Sequence, residues 1–147
     1  MKRALLDLVA ELEPSLLIGG AALFFYGKPQ RSLDYDFWVR IQKDKLIQSL
    51  ENHGFEVDSS GPAMVVAYLD EIKVDFFLGR QFINRDGERI IFDEIAARGK
   101  LIQLADASIL IPCIEDMIKM KKLGNQERPK DVEDIAFLKT LMEKLTK

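Results

Sequence analysis

GGAALFFYGKPQRSLDYDFWVRI, residues 19–41, carries the pattern on which the interpretation of this sequence depends. Two glycines precede a helix-like run, and Asp34 and Asp36 then stand one residue apart at the start of a strand-like run. An aspartate pair on a strand is locally unfavourable, because Asp is a poor strand former and like charges on one face repel. We therefore expect something outside the chain to compensate these charges.

The composition is ordinary for a soluble globular protein, with 147 residues of which 48% are hydrophobic and 31% charged. This length suits a single domain, which we divide into an α/β catalytic core over residues 1–111 and C-terminal helices over residues 112–147. A net charge of −3 gives no overall attraction to nucleic acid. No apolar run approaches the roughly 20 residues that span a bilayer, so we expect a cytoplasmic protein without a membrane partner.

The scarcity of cysteine and histidine restricts the chemistry. Cys113 and His53 are the single residues of their types. They argue against a disulfide framework, a cysteine-based zinc cluster, a His-rich metal site and a Ser-His-Asp triad. Any bound metal is therefore expected to be held by carboxylates.

Hydrophobic spacing predicts an α+β fold. Predicted helices cover residues 2–13, residues 21–27, the run DKLIQSLENHGF up to Gly54, the stretch from Pro112 to about Leu123, and the stretch from about Pro129 to Lys144. Predicted strands are SLLI, DYDFWVRI, FEV, MVVAYL and IKVDFF. Residues 87–111 are expected to form short strands or turns around RIIF, KLIQL and SILI.

A third carboxylate, Asp75, lies in the IKVDFF strand, between Val74 and Phe76. If this strand lies beside the strand of Asp34 and Asp36, three carboxylates converge on one face, a set that suits Mg²⁺. Two such ions would stabilise the attacking and leaving oxygens of an in-line phosphoryl displacement. The glycines would then let backbone N–H groups approach a phosphate closely.

Each of these features also has a purely structural interpretation. Glycine pairs are common in turns, and an Asp-x-Asp at a strand start is often a turn or a solvated edge. Trp38, on the face of the aspartates, either stacks on a base or packs in the core. The joint pattern is more specific than any single part of it.

The last two predicted helices carry charges where apolar residues are expected. On a helical projection Lys121 falls inside an apolar stripe, so it must reach out to solvent, pair, or face a site. Asp131 and Asp134 extend the core stripe of the final helix. Asp131 could simply favour the helix dipole, and Asp134 could pair with Arg128 or Lys130.

The combination of Gly19-Gly20, Asp34-Tyr35-Asp36-Phe37 and Val74-Asp75-Phe76 resembles the signature of the nucleotidyltransferase superfamily with the DNA polymerase β fold. The resemblance implies a mixed sheet flanked by helices, followed by two C-terminal helices. It also implies that Asp34 and Asp36 bind metal, and that Asp75 binds metal and helps activate the attacking hydroxyl. Two Mg²⁺ ions are implied as cofactors, with Mn²⁺ as an alternative.

The segments GGAA…RSLDYDF and EDMIKMKKLGNQERPKDVEDIAFL look most like small nucleotidyltransferases related to the AbiEii toxins of abortive-infection toxin–antitoxin systems. Many family members have Ser after the first glycine. Gly20 here leaves the phosphate contact to the backbone and to Arg31 or Ser32. The family's K…R.KD..D pattern falls on Lys121, Arg128, Lys130, Asp131 and Asp134, where the lysine is expected to reach the nucleotide phosphates.

The sequence therefore predicts an enzyme that transfers a nucleoside monophosphate from a nucleoside triphosphate to an acceptor hydroxyl, releasing pyrophosphate. The acceptor is RNA such as the 3′ end of tRNA, a protein, or a small molecule such as an antibiotic. A cognate toxin or antitoxin is a candidate partner, and a homodimer could complete the acceptor cleft. The alternative is a non-catalytic module that keeps the fold and acts through a protein partner, although intact carboxylates at all three positions argue against it.

Overall fold

The computed structural model describes residues 1–29, 34–124 and 126–146. The strands are β1 (Ser15–Ile18), β2 (Asp34–Val39), β3 (Glu56–Ser60), β4 (Met64–Leu69), β5 (Ile72–Phe77), β6 (Gln81–Ile83), β7 (Arg89–Ile91), β8 (Lys100–Leu104) and β9 (Ala107–Ile111). The helices are α1 (Arg3–Glu11), α2 (Gly19–Phe24), α3 (Lys43–Asn52), α4 (Phe92–Arg98), α5 (Ile114–Met120) and α6 (Pro129–Leu145). In the part of the chain that the structure describes, no helix has both the length and the apolar character needed to cross a membrane.

The central sheet has five strands in the order β1-β2-β5-β4-β3. The β2 and β5 strands pair in parallel, and the other neighbours pair antiparallel. The parallel pair requires a crossover, which α3, β3 and β4 provide. Two further hairpins, β6–β7 and β8–β9, form separate two-stranded sheets. The predicted α+β class, with a mixed sheet flanked by helices, is confirmed.

Alternation along β2 places its side chains against two different apolar clusters. Phe37 and Val39 are fully buried in the larger cluster, together with residues of α1 and α3. Trp38 points to the opposite face and is fully buried in a smaller cluster with Phe92 and Ile95 of α4. Its Nε1 donates a hydrogen bond to the carbonyl oxygen of Gly79, at 2.9 Å. Trp38 is therefore a core residue, which was one of the two alternatives.

The segment 87–111 differs from the sequence prediction, because it contains the helix α4. The apolar run RIIF indicated a strand, but only its first three residues form β7, and Phe92 begins the helix. Asp93 and Glu94 lie in the first helical turn, where negative charge is favoured by the helix dipole. The strand β6, which pairs with β7, was also not predicted.

Two predicted helix starts were displaced. The second helix begins at Gly19 itself, two residues before the predicted start. The fifth begins at Ile114, so Pro112 precedes its N-cap residue Cys113 and does not lie in the first turn. Pro129, in contrast, occupies the first position of α6 as predicted.

Candidate active site

The parallel register of β2 and β5, two neighbouring inner strands, brings the predicted carboxylates to one face of the sheet. Asp36 lies directly opposite Asp75, and Asp34 lies opposite Lys73. Because β2 side chains alternate, Asp34 and Asp36 project from the same face. Asp34 is exposed at the start of the strand, whereas the side chain of Asp75 is only 18% exposed.

The two central carboxylates are electrostatically unfavourable as they stand. Burial, together with the neighbouring charge of Asp75, raises the pKa of Asp36 to about 6. Burial also raises the pKa of Asp75, although Lys73, with its Nζ 3.9 Å from Asp75 Oδ1, partly offsets this. Within the described part of the chain, buried Asp75 Oδ1 has no hydrogen-bond partner. The pair therefore favours a proton or a cation between its oxygens.

The first glycine is required by the approach of Asp36. Gly19 has φ +69°, and a Cβ at this position would lie 2.5 Å from Asp36 Oδ2. Any other residue would therefore meet both backbone strain and a steric clash. At Gly20 a Cβ would lie 3.7 Å from Lys130 Nζ, so this backbone has a lysine ammonium beside it.

Lys121 is buried and held by Asp134. Its side chain is 9% exposed, and its Nζ lies 2.8 Å from Asp134 Oδ2. The other carboxylate oxygen of Asp134 accepts a hydrogen bond from Lys28, which also lies 3.2 Å from Glu133. Burial raises the pKa of Asp134, but the hydrogen bonds from the two lysines outweigh burial and hold that pKa below its ordinary value. The alternative interpretation, in which Asp134 pairs with Arg128 or Lys130, is not what the structure shows.

Arg128 pairs instead with Asp131. Its Nε and Nη2 each donate to one carboxylate oxygen, both at 3.0 Å, and its backbone N–H also donates to Asp131 Oδ2, at 3.4 Å, at the start of α6. Asp131 is 1% exposed, and the hydrogen bonds from Arg128 lower its pKa. Asp131 therefore accepts from the backbone at the start of α6 and also holds the guanidinium of Arg128, which remains largely exposed, in a fixed position.

Lys130 is a site residue that the sequence did not single out. Its ammonium lies beside Gly20, and its positive charge partly offsets the rise in the pKa of Asp36 that burial causes. No ion pair engages Lys130 in residues 1–29, 34–124 and 126–146. It is therefore a more accessible cation for an anionic ligand than Lys121. The only sequence signal was its place in the K…R.KD..D pattern.

Two cavities open beside these residues and meet at Gly20, Asp36 and Lys130. The first, which we call the apolar cavity, has a volume of about 240 Å³ and is also lined by Gly19, Lys121, Arg128, Asp131 and a set of apolar side chains. The second, which we call the acidic cavity, has a volume of about 470 Å³ and is also lined by Asp34, Asp75, Lys28, Glu133 and Asp134. The predicted residues Arg31 and Ser32 lie outside the described residues.

The carboxylates do not form a ready metal centre in this arrangement. Among the described residues, no group of three or more His, Cys, Asp or Glu side chains is placed so that it could hold an ion. A site that uses Asp34, Asp36 and Asp75 together therefore requires the side chains to rearrange from these positions.

Similarity to known proteins lies in the fold rather than in the sequence. No protein-family model matches the chain, and no curated protein is similar to it in sequence. A candidate nucleotidyltransferase from Thermotoga maritima shares 14% identity, with 98% of this chain and 89% of that chain covered and a TM-score of 0.60. An antigenic nucleotidyltransferase-like protein from Paracoccidioides brasiliensis shares 18% identity over 93% of this chain and 72% of its own, with a TM-score of 0.61.

A third structure is ANT(2″)-Ia in complex with adenylyl-2″-tobramycin. It shares 17% identity, with 95% of this chain and 86% of that chain covered and a TM-score of 0.60. At these identities the similarity shows the fold alone. The chain therefore has the nucleotidyltransferase fold, which confirms the fold that the resemblance of its glycine and aspartate motifs implied.

Proposed function

We propose that this protein is a divalent-metal-dependent nucleotidyltransferase that moves a nucleoside monophosphate from a nucleoside triphosphate to an acceptor hydroxyl. The observation that carries this proposal is the pairing of Asp36 with Asp75 on adjacent parallel strands, against the backbone of Gly19. Two neighbouring, partly buried carboxylates whose pKa values are raised destabilise a sheet in which they have no function. Such groups in a cleft are typical of functional sites.

Once these side chains rearrange, their donor chemistry fits a hard divalent cation. The donors are carboxylate oxygens, which Mg²⁺ prefers, with Mn²⁺ as the alternative. Buried Asp75 Oδ1, without a hydrogen-bond partner among the described residues, is an oxygen that such an ion would satisfy. We propose Asp34, Asp36 and Asp75 as the ligands. Two ions, when bound, would stabilise charge on the attacking and leaving oxygens.

The protein's own groups would bind and orient the triphosphate. Lys130 and the Arg128 guanidinium offer positive charge beside the Gly19–Gly20 backbone, and Lys121 adds a buried charge to the same cavity. Asp131 and Asp134 act as positioning residues, since they hold Arg128 and Lys121 respectively. Phosphoryl transfer depends mainly on such positioning and charge neutralisation.

In the transfer step the acceptor oxygen forms a bond to the α-phosphorus, while the bond from that phosphorus to the bridging oxygen breaks and pyrophosphate leaves. We propose that Asp75 receives the proton of the acceptor hydroxyl. Burial raises the pKa of Asp75, which makes this carboxylate a stronger base than an exposed aspartate.

Within this class the C-terminal K…R.KD..D pattern supports an AbiEii-like enzyme in a toxin–antitoxin pair, with a cognate protein as partner. The proposed acceptors are RNA such as tRNA, a protein hydroxyl, or a small molecule. The last is supported by the similarity of the fold to that of ANT(2″)-Ia, which was solved with adenylyl-2″-tobramycin. We propose a single cytoplasmic domain, with a catalytic core at 1–111 and helices at 112–147, whose acceptor cleft a second copy or a partner could complete.

The test measures donor binding first and transfer second. Thermal stability is recorded with each of the four nucleoside triphosphates, with and without Mg²⁺, and labelled nucleotide is then offered with tRNA, protein and aminoglycoside acceptors. Asp36→Asn is expected to abolish transfer, whereas Asp58→Asn, an exposed carboxylate on the edge strand β3, is the matched control and should retain it. Transfer that is unchanged in Asp36→Asn would refute the assignment. Failure of every nucleotide to stabilise the protein would favour the non-catalytic module.

A further inference from the structure

The face of the sheet that bears the aspartates is covered only in part. Trp38 is fully buried under Phe92 and Phe82, with ring centroids 5.2 and 5.1 Å away. This cover ends before Asp36, and the space left over is the apolar cavity. Its apolar wall is formed by the partly exposed side chains of Phe77, Phe82, Met120 and Leu123, and Trp38 and Met117, which also line it, are themselves buried.

The rest of the cavity lining is charged, and we call it the charged side. It consists of Lys121, Arg128 and Lys130, the carboxylates of Asp36 and Asp131, and the Gly19–Gly20 backbone. An inorganic phosphate or pyrophosphate would use this charged side and leave the apolar wall exposed to water. A ligand that uses both sides needs an anionic end and a flat, largely apolar end within one molecule. A nucleotide has this chemistry, with phosphates at one end and a base at the other.

The apolar wall offers little that could recognise the edge of a base. None of the described residues that line the cavity is Ser, Thr, Asn, Gln, Tyr or His. The indole N–H of Trp38 is already bonded to Gly79, and Arg128 is bonded to Asp131. What remains is contact with the partly exposed rings of Phe77 and Phe82 and with the thioether of Met120, which adapts to ligands of different shape.

We propose that the apolar cavity binds the nucleobase of the donor nucleotide through stacking and thioether contact, and that it distinguishes the four bases only weakly. This inference rests on the proposed nucleotidyltransferase function. A site that hydrogen-bonds a ligand group rejects analogues that lack the group strongly, whereas an apolar pocket discriminates modestly. The wall of the apolar cavity is apolar, so modest discrimination between bases is expected.

The experiment compares nucleoside triphosphates with tripolyphosphate, which has the charges without the base. Dissociation constants are measured by calorimetry with Mg²⁺ for the wild type, Phe82→Ala, Met120→Ala and Ile83→Ala. Ile83 is the matched control, because it neighbours Phe82 on the same strand but is 64% exposed. Met120 belongs to the same apolar wall but to a different element, α5, so it tests the same idea if Phe82→Ala fails to fold.

The four nucleotides are expected to bind with dissociation constants within about thirtyfold of one another, and each more tightly than tripolyphosphate. Phe82→Ala or Met120→Ala should weaken nucleotide binding by roughly tenfold while leaving tripolyphosphate binding unchanged, and Ile83→Ala should change neither. Nucleotides that bind no more tightly than tripolyphosphate, variants without effect on nucleotides, or a spread wider than thirtyfold would each overturn the inference. If neither nucleotides nor tripolyphosphate bind, the proposed function fails with it.

Discussion

Replacing Asp36 by asparagine is expected to stabilise the metal-free protein while it abolishes nucleotidyl transfer. The carboxylate is partly buried and lies opposite Asp75 across the parallel pair. Asparagine has nearly the same shape and no charge. The substitution therefore removes the unfavourable charge and leaves the packing of β2 in place.

The magnitude follows from the pKa of Asp36, which rises from 3.8 to about 6 on folding. A carboxyl whose pKa is raised binds its proton more tightly in the folded state, so the free energy of unfolding falls as the pH rises from about 4 to 6. At pH 7 the wild type carries the whole penalty, up to about 3 kcal/mol at 1.36 kcal/mol per pKa unit. For a chain of this length this corresponds to roughly 6 to 12 °C in melting temperature.

The assay is urea unfolding of both proteins in metal-free buffer at pH 7 and at pH 4, with Asp58→Asn as the control for loss of an exposed carboxylate. The advantage of Asp36→Asn should be present at pH 7 and nearly absent at pH 4, where the wild-type carboxyl is largely protonated in the folded state. Added Mg²⁺ with nucleotide should stabilise the wild type and not the variant. A variant equal to or less stable than the wild type at pH 7 would refute the reasoning.

Four further substitutions test other contacts, three of them in the site and one in the connection between α5 and α6. Gly19→Ala should destabilise the protein by more than Gly87→Ala does. Gly87 is the control, because it shares the positive φ but has open space where a Cβ would lie. The difference between the two changes in the free energy of unfolding therefore measures the clash of the new Cβ with the Asp36 carboxylate. Lys130→Ala should weaken nucleotide binding with little change in the free energy of unfolding. Lys121→Ala should weaken nucleotide binding and also destabilise the fold, because it leaves the buried carboxylate of Asp134 with one lysine fewer. Calorimetry measures the change in binding, and urea unfolding measures the change in stability. Arg85→Ala should speed amide hydrogen exchange in the connection between α5 and α6, because the Arg85 guanidinium donates to the carbonyl oxygens of Leu123 and Gln126, both at 3.2 Å. An exchange rate equal to that of the wild type would show that these two hydrogen bonds do not hold the connection.

The strand positions of the three aspartates could be predicted because the sequence patterns that indicate them are local. The alternation of β2 fixes the shared face of Asp34 and Asp36, and the apolar residues around Asp75 mark a core strand. That the two strands are neighbours was a condition of the prediction rather than a result of it. The parallel pairing depends on a crossover of more than thirty residues, for which no local pattern specifies the register.

The α4 segment shows how a local signal can be ambiguous. A short apolar run such as RIIF fits a strand or the start of a buried helix equally well. The structure uses it for both, because Ile90 of β7 and Phe92 of α4 are buried in the same cluster around Trp38. The two acidic residues after Phe92 were the sequence feature that favoured a helix start.

The buried charges mark the limit of inference from one helix at a time. Helical projection places Lys121 and Asp134 on inward faces, and both are buried. It does not determine their partners, since an ion pair depends on how two helices cross and on what a third segment brings to them. Here the third segment is the one after α2, whose Lys28 donates a hydrogen bond to Asp134. Asp134 therefore links the segment after α2 to both C-terminal helices, so a change at this aspartate should alter nucleotide binding and the stability of the fold together.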